Sequence, residues 1–419
     1  MADGWHGNAA ATTVDITPER LLPLAGSAAA QASAAAIEDR LEASLLLLAG
    51  PAPVLLVSID ALFAGPVVVQ ALRERLAGTV RSEAILVFAT HTHSAPALDP
   101  TKPRLGVADP AHVADVAERL AAAAHGLLHG GTSVELRVAS AREPFGVCRR
   151  RRQLLTVRRT GIRLRPVVQG IDASALIDDL IAVARFDRPD GSAAAIVWGM
   201  ACHPVGHPRP GVVSAHYPGI VRARLRAELG DPHLPVLFLQ GFSGDSRPRE
   251  AGAMRPRRSG LARLAYGPGY GPLSAGGYAT WSGAIAERVA ALASASQPAV
   301  GGEIALRSAG ILRDALFTGA KDGEVEIRNL SIGGGFGIVG VEVEAVAAYA
   351  AAARAACPAQ VVIAAGCMGD VSGYAPTQMM LGEGGYEVEG FCSDFGIAGV
   401  AEGVEDALRA GIAATREPG

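Results

Sequence analysis

Two histidines separated by one residue follow a short apolar run, in the segment THTHS at positions 90–94. The apolar run, Ile85–Ala89, is predicted to be a buried strand, and α/β proteins place ligand-binding groups at the ends of such strands. In extended backbone, residues i and i+2 point to the same side, so His91 and His93 are predicted to face one pocket. Imidazole is a common zinc ligand and the usual general acid or base near pH 7. The pair indicates a metal or proton-transfer site, with hydrogen-bonded loop histidines as the alternative.

More histidines follow another predicted strand. The run Ala194–Trp198 is followed by His203 and then by His207 and His216. His203 comes just past the strand end and can join a metal site, whereas His207 is predicted to be a solvent-exposed loop residue. Cys202 can be a thiolate ligand, but core packing is preferred because a free cysteine behaves as a small hydrophobe. The two strand ends predict a histidine site that an Asp or Glu can complete.

The elements that must position these side chains alternate between short apolar runs and Ala-rich amphipathic stretches. Strand, helix, strand order predicts an α/β fold with a mixed central sheet or sheets flanked by helices. We interpret 1–419 as a single domain, with a basic, irregular segment at 142–175 and a surface loop at about 250–280. The predicted strands are Val54–Ile59, Ile85–Ala89, Ala194–Trp198, Val236–Leu239, Val341–Glu344 and Val361–Ala365; the predicted helices are Val68–Leu76, Ala111–Leu128, Gly219–Glu228 and Ala345–Ala356.

Composition excludes several classes of protein. Of 419 residues, 49% are hydrophobic, which is enough for a large core and argues against disorder. The net charge of −3 gives no bulk attraction to nucleic acid or to an anionic membrane. The five scattered cysteines contain no CxxC pair, which argues against a disulfide framework or a thiolate zinc cluster. With no signal-peptide pattern and no apolar run of membrane-spanning length, the expectation is a cytoplasmic protein with a small-molecule substrate, its oligomeric state left open.

Arginine replaces lysine almost everywhere in this chain. Lys102 and Lys321 are the only lysines among the 38 basic residues. The arginine runs can be solvated loops of an Arg-biased composition. They can also recruit a carboxylate or phosphate, because a guanidinium binds such groups in a bidentate manner. Arg247, beside a Gly-Asp turn, is the best single candidate for that role.

The order of short motifs along nearly the whole chain resembles the neutral/alkaline, non-lysosomal ceramidase family. The resemblance is to the bacterial branch and to its N-terminal catalytic domain, without the C-terminal immunoglobulin-like domain. Each motif is modest by itself, and their order together is specific. The motifs are VDITP at 14–18, PLAG at 23–26, VSID at 57–60, THTHSAP at 90–96, ACHP at 201–204, SAHYPG at 214–219, LQG at 239–241, GYAPT at 373–377 and EGGYEV at 383–388.

The resemblance implies one zinc ion bound by two His, one Glu and one Tyr. The first His of the His-Thr-His motif corresponds to His91, and the His of the Ala-Cys-His-Pro motif corresponds to His203. The ligand tyrosine corresponds to Tyr374. The glutamate is placed at Glu344, with Glu342 as the alternative, because the Pro-Gly of the family's Pro-Gly-Glu turn is missing here.

The resemblance also implies a catalytic set around the zinc ion. His93 would carry a proton to the leaving group, while Arg149 and Tyr386 would stabilise the developing oxyanion. Zinc would lower the pKa of a bound water and polarise the acyl oxygen. Two of the departures from the family pattern bear on the substrate: Arg247 stands where the family has a Ser, and His216 stands where it has an Asp. Both are predicted to bind substrate, and they favour a small anionic substrate over ceramide.

The function predicted from this combination is a zinc-dependent hydrolase of the ceramidase-like superfamily. It would cleave an amide (C–N) or ester bond through a zinc-activated water. One alternative is a zinc-dependent biosynthetic enzyme, a cyclase or lyase, that forms or rearranges an amide or lactone. The other is a non-catalytic binding protein on the same fold.

Overall fold

The structure, a computed structural model, describes residues 4–26, 34–158, 161–164, 166–250 and 273–416, and it describes side chains outside the range 155–165. The fold is mixed α/β, as the sequence predicts, with helices around two main sheets. In the larger sheet, β3 and β4 are buried along their whole length, which explains their uninterrupted apolar sequence. Its strands are β1 (His6–Asp15), β2 (Glu42–Ala49), β3 (Val54–Ile59), β4 (Ile85–Ala89), β5 (Thr132–Arg142), β6 (Leu180–Asp187), β7 (Ala193–Met200), β8 (Val236–Gln240) and β9 (Gln297–Pro298).

The larger sheet curls so that strands from its two ends approach each other. Its order is β8-β7-β6-β5-β1-β2-β3-β4, with β9 paired to β5. The β7/β8 and β3/β4 pairs are parallel, and the other pairs are antiparallel. The hydroxyl of Ser58 in β3 donates to the carbonyl of Phe238 in β8 at 2.7 Å and accepts from its N–H at 3.1 Å. The carboxyl ends of β4 and β8 are thereby drawn together.

The second sheet joins the first at these same strand ends. The amide of Ala89 donates to the carbonyl of Cys367 at 3.0 Å, and the amide of Gly366 donates to the carbonyl of Gln240 at 2.9 Å. The loop after β13 therefore lies between the ends of β4 and β8. The strands of the second sheet follow one another in the sheet in the same order as in the chain, and the last two are parallel. They are β10 (Ile304–Leu312), β11 (Glu324–Ile332), β12 (Phe336–Val341) and β13 (Val361–Ala365).

Short strand pairs tie the loops around this junction. The strand Gly146–Arg152 pairs with Val167–Asp172 and with Ser246–Pro248, and Glu344–Ala345 pairs with Tyr374–Ala375. The other pairs are Ala36–Ile37 with Val212–Val213, Phe317–Thr318 with Gly399–Val400, and Leu155–Arg158 with Gly161–Leu164.

The helices begin and end largely where their sequence signals predict. Asp109 and Ser274 are N-cap residues whose side chains accept the amides of His112 and Gly277. In the part of the chain that the structure describes, none of the helices combines the length and apolar character needed to cross a bilayer. The helices are α1 (Gly65–Arg75), α2 (Pro110–Leu127), α3 (His216–Leu229), α4 (Ala275–Ala295), α5 (Arg313–Leu316), α6 (Ala350–Ala356), α7 (Gln378–Glu383), α8 (Cys392–Phe395) and α9 (Val404–Ala414), with 3₁₀ turns at Ser82–Ala84 and Ala347–Tyr349 and a π turn at Tyr386–Gly390.

Four sequence predictions need correction in whole or in part. The segment predicted as irregular at 142–175 contains strands; charged residues obscured the strand pattern there, and Arg149, Arg150 and Arg152 are held by acidic partners. The helix predicted at 345–356 starts at Ala350, because Glu344–Ala345 is held as a strand. For the same reason the strand predicted at 341–344 divides: β12 ends at Val341 and Glu344 belongs to the next strand. In the loop predicted at 250–280, residues from Ala275 onward are helical, while 251–272 lie outside the described residues. The single domain over 1–419 stays a prediction.

Candidate metal centre

The His-Thr-His segment leaves β4 and turns at once. His91 has a φ of 64°, which is uncommon for a residue with a side chain and indicates a conformation held by its surroundings. The hydroxyl of Thr92 donates to the carbonyl of Ser214 at 2.9 Å and fixes the turn. The rings of His91 and His93 lie 5.1 Å apart, centroid to centroid. The two histidines therefore face one site as predicted, although a tight turn brings them together rather than extended backbone.

His203 approaches the same point from the end of β7. Its ring centroid lies 4.8 Å from that of His91 and 6.0 Å from that of His93. One ring nitrogen from each of His91, His93 and His203 lies within 4.8 Å of the others. The structure thus brings histidines from two strand ends together, and His93 lies in the same group as His91 and His203. That these residues bind a metal stays a prediction.

Each of the three imidazoles is oriented by a backbone carbonyl. The Nδ1 atoms of His91, His93 and His203 lie 3.0, 3.0 and 2.8 Å from the carbonyl oxygens of Leu62, Gly26 and Ser243. A carbonyl oxygen only accepts hydrogen bonds, so Nδ1 carries the proton in the neutral ring and Nε2 keeps its lone pair. This is the usual arrangement of a metal-binding histidine and its supporting acceptor.

A buried carboxylate completes the group of nitrogen atoms. Glu344 Oε2 lies 3.2 Å from Nε2 of His91 and 3.2 Å from Nε2 of His203. The amide of Glu344 donates to the carbonyl of Gly373 at 2.8 Å, within the short parallel pair that also contains Tyr374. The alternative residue, Glu342, instead accepts the amides of Glu326 and Asp370. Of the two carboxylates, only Glu344 is placed beside the histidines.

Two tyrosines and an arginine stand on one side of this centre. Tyr374 Oη lies 3.5 Å from His203 Nε2, and the Tyr374 and Tyr386 rings lie 5.6 Å apart. The guanidinium carbon of Arg149 is 5.5 Å from the Tyr374 ring centroid and 5.4 Å from that of Tyr386. Arg149 Nη1 also lies 3.5 Å from His203 Nε2. These three residues, predicted from distant parts of the chain, are therefore brought together.

Burial and charge favour an ionised Glu344 and neutral His93 and His203, and they favour a cation at the position of His91. The pKa of Glu344 is held well below its ordinary value, because His91 and His203 outweigh the effect of burial. Burial and the neighbouring imidazoles hold the pKa of His93 well below its usual range, and burial with Arg149 lowers that of His203 to about 4. Burial opposes the charged form of His91, yet Cys367 and Glu344 raise its pKa well above the ordinary value. A positive charge is thus stabilised beside Glu344.

The residues fit a divalent metal ion. Nε2 of His91, Nε2 of His93 and Oε2 of Glu344 are buried and have no hydrogen-bond partner among the described residues. Unpaired buried acceptors are costly, and a cation among them removes that cost. Imidazole nitrogens with one carboxylate are a typical zinc donor set. The orphaned atoms of His91 and Glu344 are therefore explained best as ligands, and that of His93 as a base beside the ion.

Glu387 belongs to the site and was missed by the sequence analysis. Its Oε1 accepts from Arg149 Nε at 2.7 Å and its Oε2 accepts from Arg150 Nη1 at 2.6 Å, all in buried surroundings. The acidic residue directly after Tyr386 and the arginine run were visible signals. Nothing in the sequence showed that the two segments meet, because they are more than 230 residues apart.

The two predicted substrate-binding residues lie near the histidine group without joining it. His216 begins α3 with a φ of 57°, and its Nε2 lies 3.0 Å from the hydroxyl of Ser94, the residue after His93. Burial lowers the pKa of His216 to about 3. Arg247 is buried in the strand Ser246–Pro248 and its Nη2 is turned toward Gly206. Their contact with a substrate stays a prediction.

Two single-residue interpretations are settled by burial. Cys202 packs in a hydrophobic cluster with Trp198 and Tyr217, which confirms the core interpretation. The prediction that His207 is exposed is wrong, because its side chain is only 7% exposed. Its ring packs 5.1 Å from that of His216 and 5.2 Å from that of Tyr278.

Comparison with known proteins places this arrangement in a recognised fold class. The chain has a ceramidase-like α/β fold. The solved structure of neutral ceramidase from Pseudomonas aeruginosa matches it with a TM-score of 0.73 at 14% identity, over 98% of this chain and 74% of that one. A structure described as ceramidase complexed with C2 matches with a TM-score of 0.72 at 13% identity, with the same coverage. No protein-family model and no curated protein sequence matches the chain.

Proposed function

We propose that this protein is a zinc-dependent hydrolase that cleaves an amide or ester bond of a small anionic substrate. The observation that carries the proposal is the convergence of one ring nitrogen from each of three histidines, with the buried Glu344 carboxylate beside two of them. His91, His203, Glu344 and Tyr374 would hold the ion. Bound zinc at such a site polarises a carbonyl oxygen and makes water acidic enough to act as a nucleophile near neutral pH.

The surrounding residues supply the remaining chemistry. A neutral His93 with an unpaired Nε2 can take the proton of the attacking water and pass it to the leaving nitrogen or oxygen. Arg149 keeps its charge, and its Nη2 has no hydrogen-bond partner among the described residues. That donor and the Tyr386 hydroxyl would stabilise the negative charge that develops on the acyl oxygen, and one such donor is worth about 3–4 kcal/mol.

The substrate proposed here differs from the ceramide of the proteins with this fold. Arg247 and Arg149 supply cationic groups near the centre, which favours a carboxylate-bearing N-acyl compound or ester over a neutral lipid with two chains. The buried, free cysteines among the described residues agree with a reducing compartment, so a cytoplasmic location is part of the proposal.

Metal analysis with matched variants tests the ligand set. Protein purified without a His tag is expected to contain about one zinc ion per chain. His91→Ala and Glu344→Gln are expected to lose it, while Glu342→Gln keeps it and controls for the removal of a buried carboxylate two residues away. Absence of metal in the wild type after zinc is added back, or equal loss in Glu342→Gln, would overturn the proposal.

A substrate panel tests the reaction. N-acyl amino acids and their uncharged amide derivatives are compared by mass spectrometry of the products. Turnover is expected for the anionic members, and His93→Ala is expected to abolish it while retaining zinc. Arg247→Gln is expected to raise KM for the anionic members only. Formation of the amide from its two halves without hydrolysis would instead favour a biosynthetic role for the same site.

A further inference from the structure

A cavity of about 380 Å³ lies beside the metal centre and takes no part in the reaction proposed above. It is formed by the loop that follows the His-Thr-His segment, by the residues around α5, by the loop before Tyr374 and by α8. Its volume falls within the range of small-molecule sites. The cavity is therefore large enough for a ligand of several heavy atoms.

Both lysines of the chain line this cavity. Lys102 and Lys321 are separated by more than 200 residues, and every other basic residue of the chain is arginine. In a composition that uses arginine almost exclusively, a chance meeting of the only two lysines at one cavity is improbable. An ammonium group offers a compact charge that can approach a ligand oxygen from several directions. Of the two lysines, Lys321 is the one that can use this chemistry, because Lys102 is held by Asp99 and Asp370.

Two of the four cations at the cavity are fixed by carboxylates. Lys102 Nζ lies 2.5 Å from Asp99 Oδ2 and 3.0 Å from Asp370 Oδ1, and its side chain is only 7% exposed. Arg313 Nη2 lies 2.8 Å from the other oxygen of Asp370. This network balances its own charge, since two cations face two carboxylates. It forms a rigid wall rather than a ligand-binding group.

The other two cations are exposed at the cavity and lack a carboxylate partner among the described residues. Arg104 donates to the backbone carbonyl of Ser393, at 3.4 Å, and Lys321 has no ion pair among those residues. Asp394 is the remaining acid in the lining. Two cations against one carboxylate leave a net positive charge at the open side. An anionic group can be bound there.

Part of the cavity lining is apolar. Phe395 and Ile397 are half-buried and Phe317 is buried, and all three line the cavity. Phe395 packs on Phe63 with a centroid distance of 5.8 Å, and Phe63 packs on His91 at 5.3 Å. The cavity is thus separated from the histidine group by an aromatic layer. A ligand in the cavity would contact this layer and not the metal ligands.

We propose that this cavity is a second binding site, for a small organic anion with a carboxylate or phosphate head and a compact apolar body. The head would contact Arg104 and Lys321, and the body would pack on Phe395 and Ile397. The proposal does not depend on the hydrolase activity, because none of these residues belongs to the metal centre.

Isothermal titration calorimetry with small probes tests this site. Phenyl phosphate and benzoate carry both features, inorganic phosphate lacks the apolar body, and phenol lacks the charge. Phenyl phosphate or benzoate, or both, are expected to bind more tightly than inorganic phosphate and phenol. Whichever of the two binds more tightly identifies the head group as phosphate or carboxylate. Arg104→Gln combined with Lys321→Gln is expected to weaken that binding about tenfold, since two partly exposed charge pairs are lost. Arg75→Gln combined with Arg81→Gln, two exposed arginines elsewhere, is the control.

The titration is repeated after treatment with a chelator, which separates this site from the metal centre. Binding that survives chelation and is lost in the Arg104/Lys321 double variant supports the proposal. The proposal would be overturned if neither phenyl phosphate nor benzoate binds, or if phenol binds as tightly as they do. It would also be overturned if the double variant binds as tightly as the wild type, or if chelation abolishes binding. Circular dichroism checks that the double variant is folded.

Discussion

Arg149 Nε donates to Glu387 Oε1 at 2.7 Å, and the other carboxylate oxygen of Glu387 accepts from Arg150 Nη1 at 2.6 Å. Arg149 and Glu387 side chains are 9% and 2% exposed. This contact aims the Arg149 guanidinium at His203 and at the two tyrosine rings. Glu387 is therefore a positioning residue: it acts on the centre through Arg149.

Replacing Glu387 is expected to destabilise the protein strongly. Glu387→Ala leaves the buried Arg149 guanidinium without its carboxylate and leaves Arg150 with Glu383 alone, and breaking a buried pair in this way costs about 3–5 kcal/mol. The free energy of unfolding is measured by urea denaturation. Glu383→Gln is the control, because Glu383 contacts Arg150 and Arg152 in a more exposed setting and should cost under about 1 kcal/mol. Equal losses of unfolding free energy in Glu387→Ala and Glu383→Gln would contradict the role given to Glu387.

Zinc is expected to raise the thermal unfolding temperature of metal-stripped protein. An ion held only by the folded state at 100 times its Kd stabilises by about 2.7 kcal/mol. The gain should shrink in acid, because protons compete for the imidazoles and the Glu344 carboxylate. Scanning calorimetry with and without zinc, at several pH values, measures the rise in unfolding temperature. His91→Ala should show no zinc-dependent shift, and a shift as large as that of the wild type would count against the ligand set.

Gly26 is expected to tolerate no side chain. Its φ is 94°, and an added Cβ would lie 2.2 Å from Nδ1 of His93, the ring that its carbonyl orients. Gly26→Ala should cost about 1–3 kcal/mol of stability through strain and overpacking. It should also reduce turnover by displacing His93. Gly50→Ala is the control, since nothing lies within 4 Å of its added Cβ. Urea denaturation measures the free energy of unfolding of both variants. Equal values for the two would contradict the close approach of Gly26 to His93.

Asp245 is expected to make stability fall as pH rises. Burial raises its pKa from 3.8 to about 6, so the neutral form is favoured in the folded state. The contribution is fully present below the unfolded pKa near 4 and is lost as pH rises through about 6. The shift of about 2 units corresponds to roughly 3 kcal/mol. Asp245→Asn keeps an oxygen that can accept from the Ala347 amide. Between pH 4 and 7, its free energy of unfolding should rise relative to that of the wild type by this amount. Urea denaturation across that range measures the free energy of unfolding of both proteins. A difference between them that does not change with pH would contradict the raised pKa of Asp245.

Local sequence was sufficient for the elements that lead into the site. The strands Val54–Ile59, Ile85–Ala89 and Val361–Ala365 have the predicted bounds, because buried strands with apolar residues on both faces leave a continuous signal. The ordered motifs also predicted a shared role for His91, His203, Glu344 and Tyr374, and the structure brings these four side chains together. Their role as metal ligands stays a prediction. Glu344 was preferred there, but Glu342 stayed open as the alternative, because both lie on the same alternating stretch.

Tertiary structure decided the rest. Choosing Glu344 depends on its pairing beside Tyr374, while Glu342 is used by the backbone amides of Glu326 and Asp370. The burial of His207, the role of Glu387 and the meeting of Lys102 with Lys321 arise from segments far apart in the chain. Periodicity and composition report only on neighbours along the sequence. Contacts of this kind exist only once the curled sheet and the second sheet bring their strand ends together.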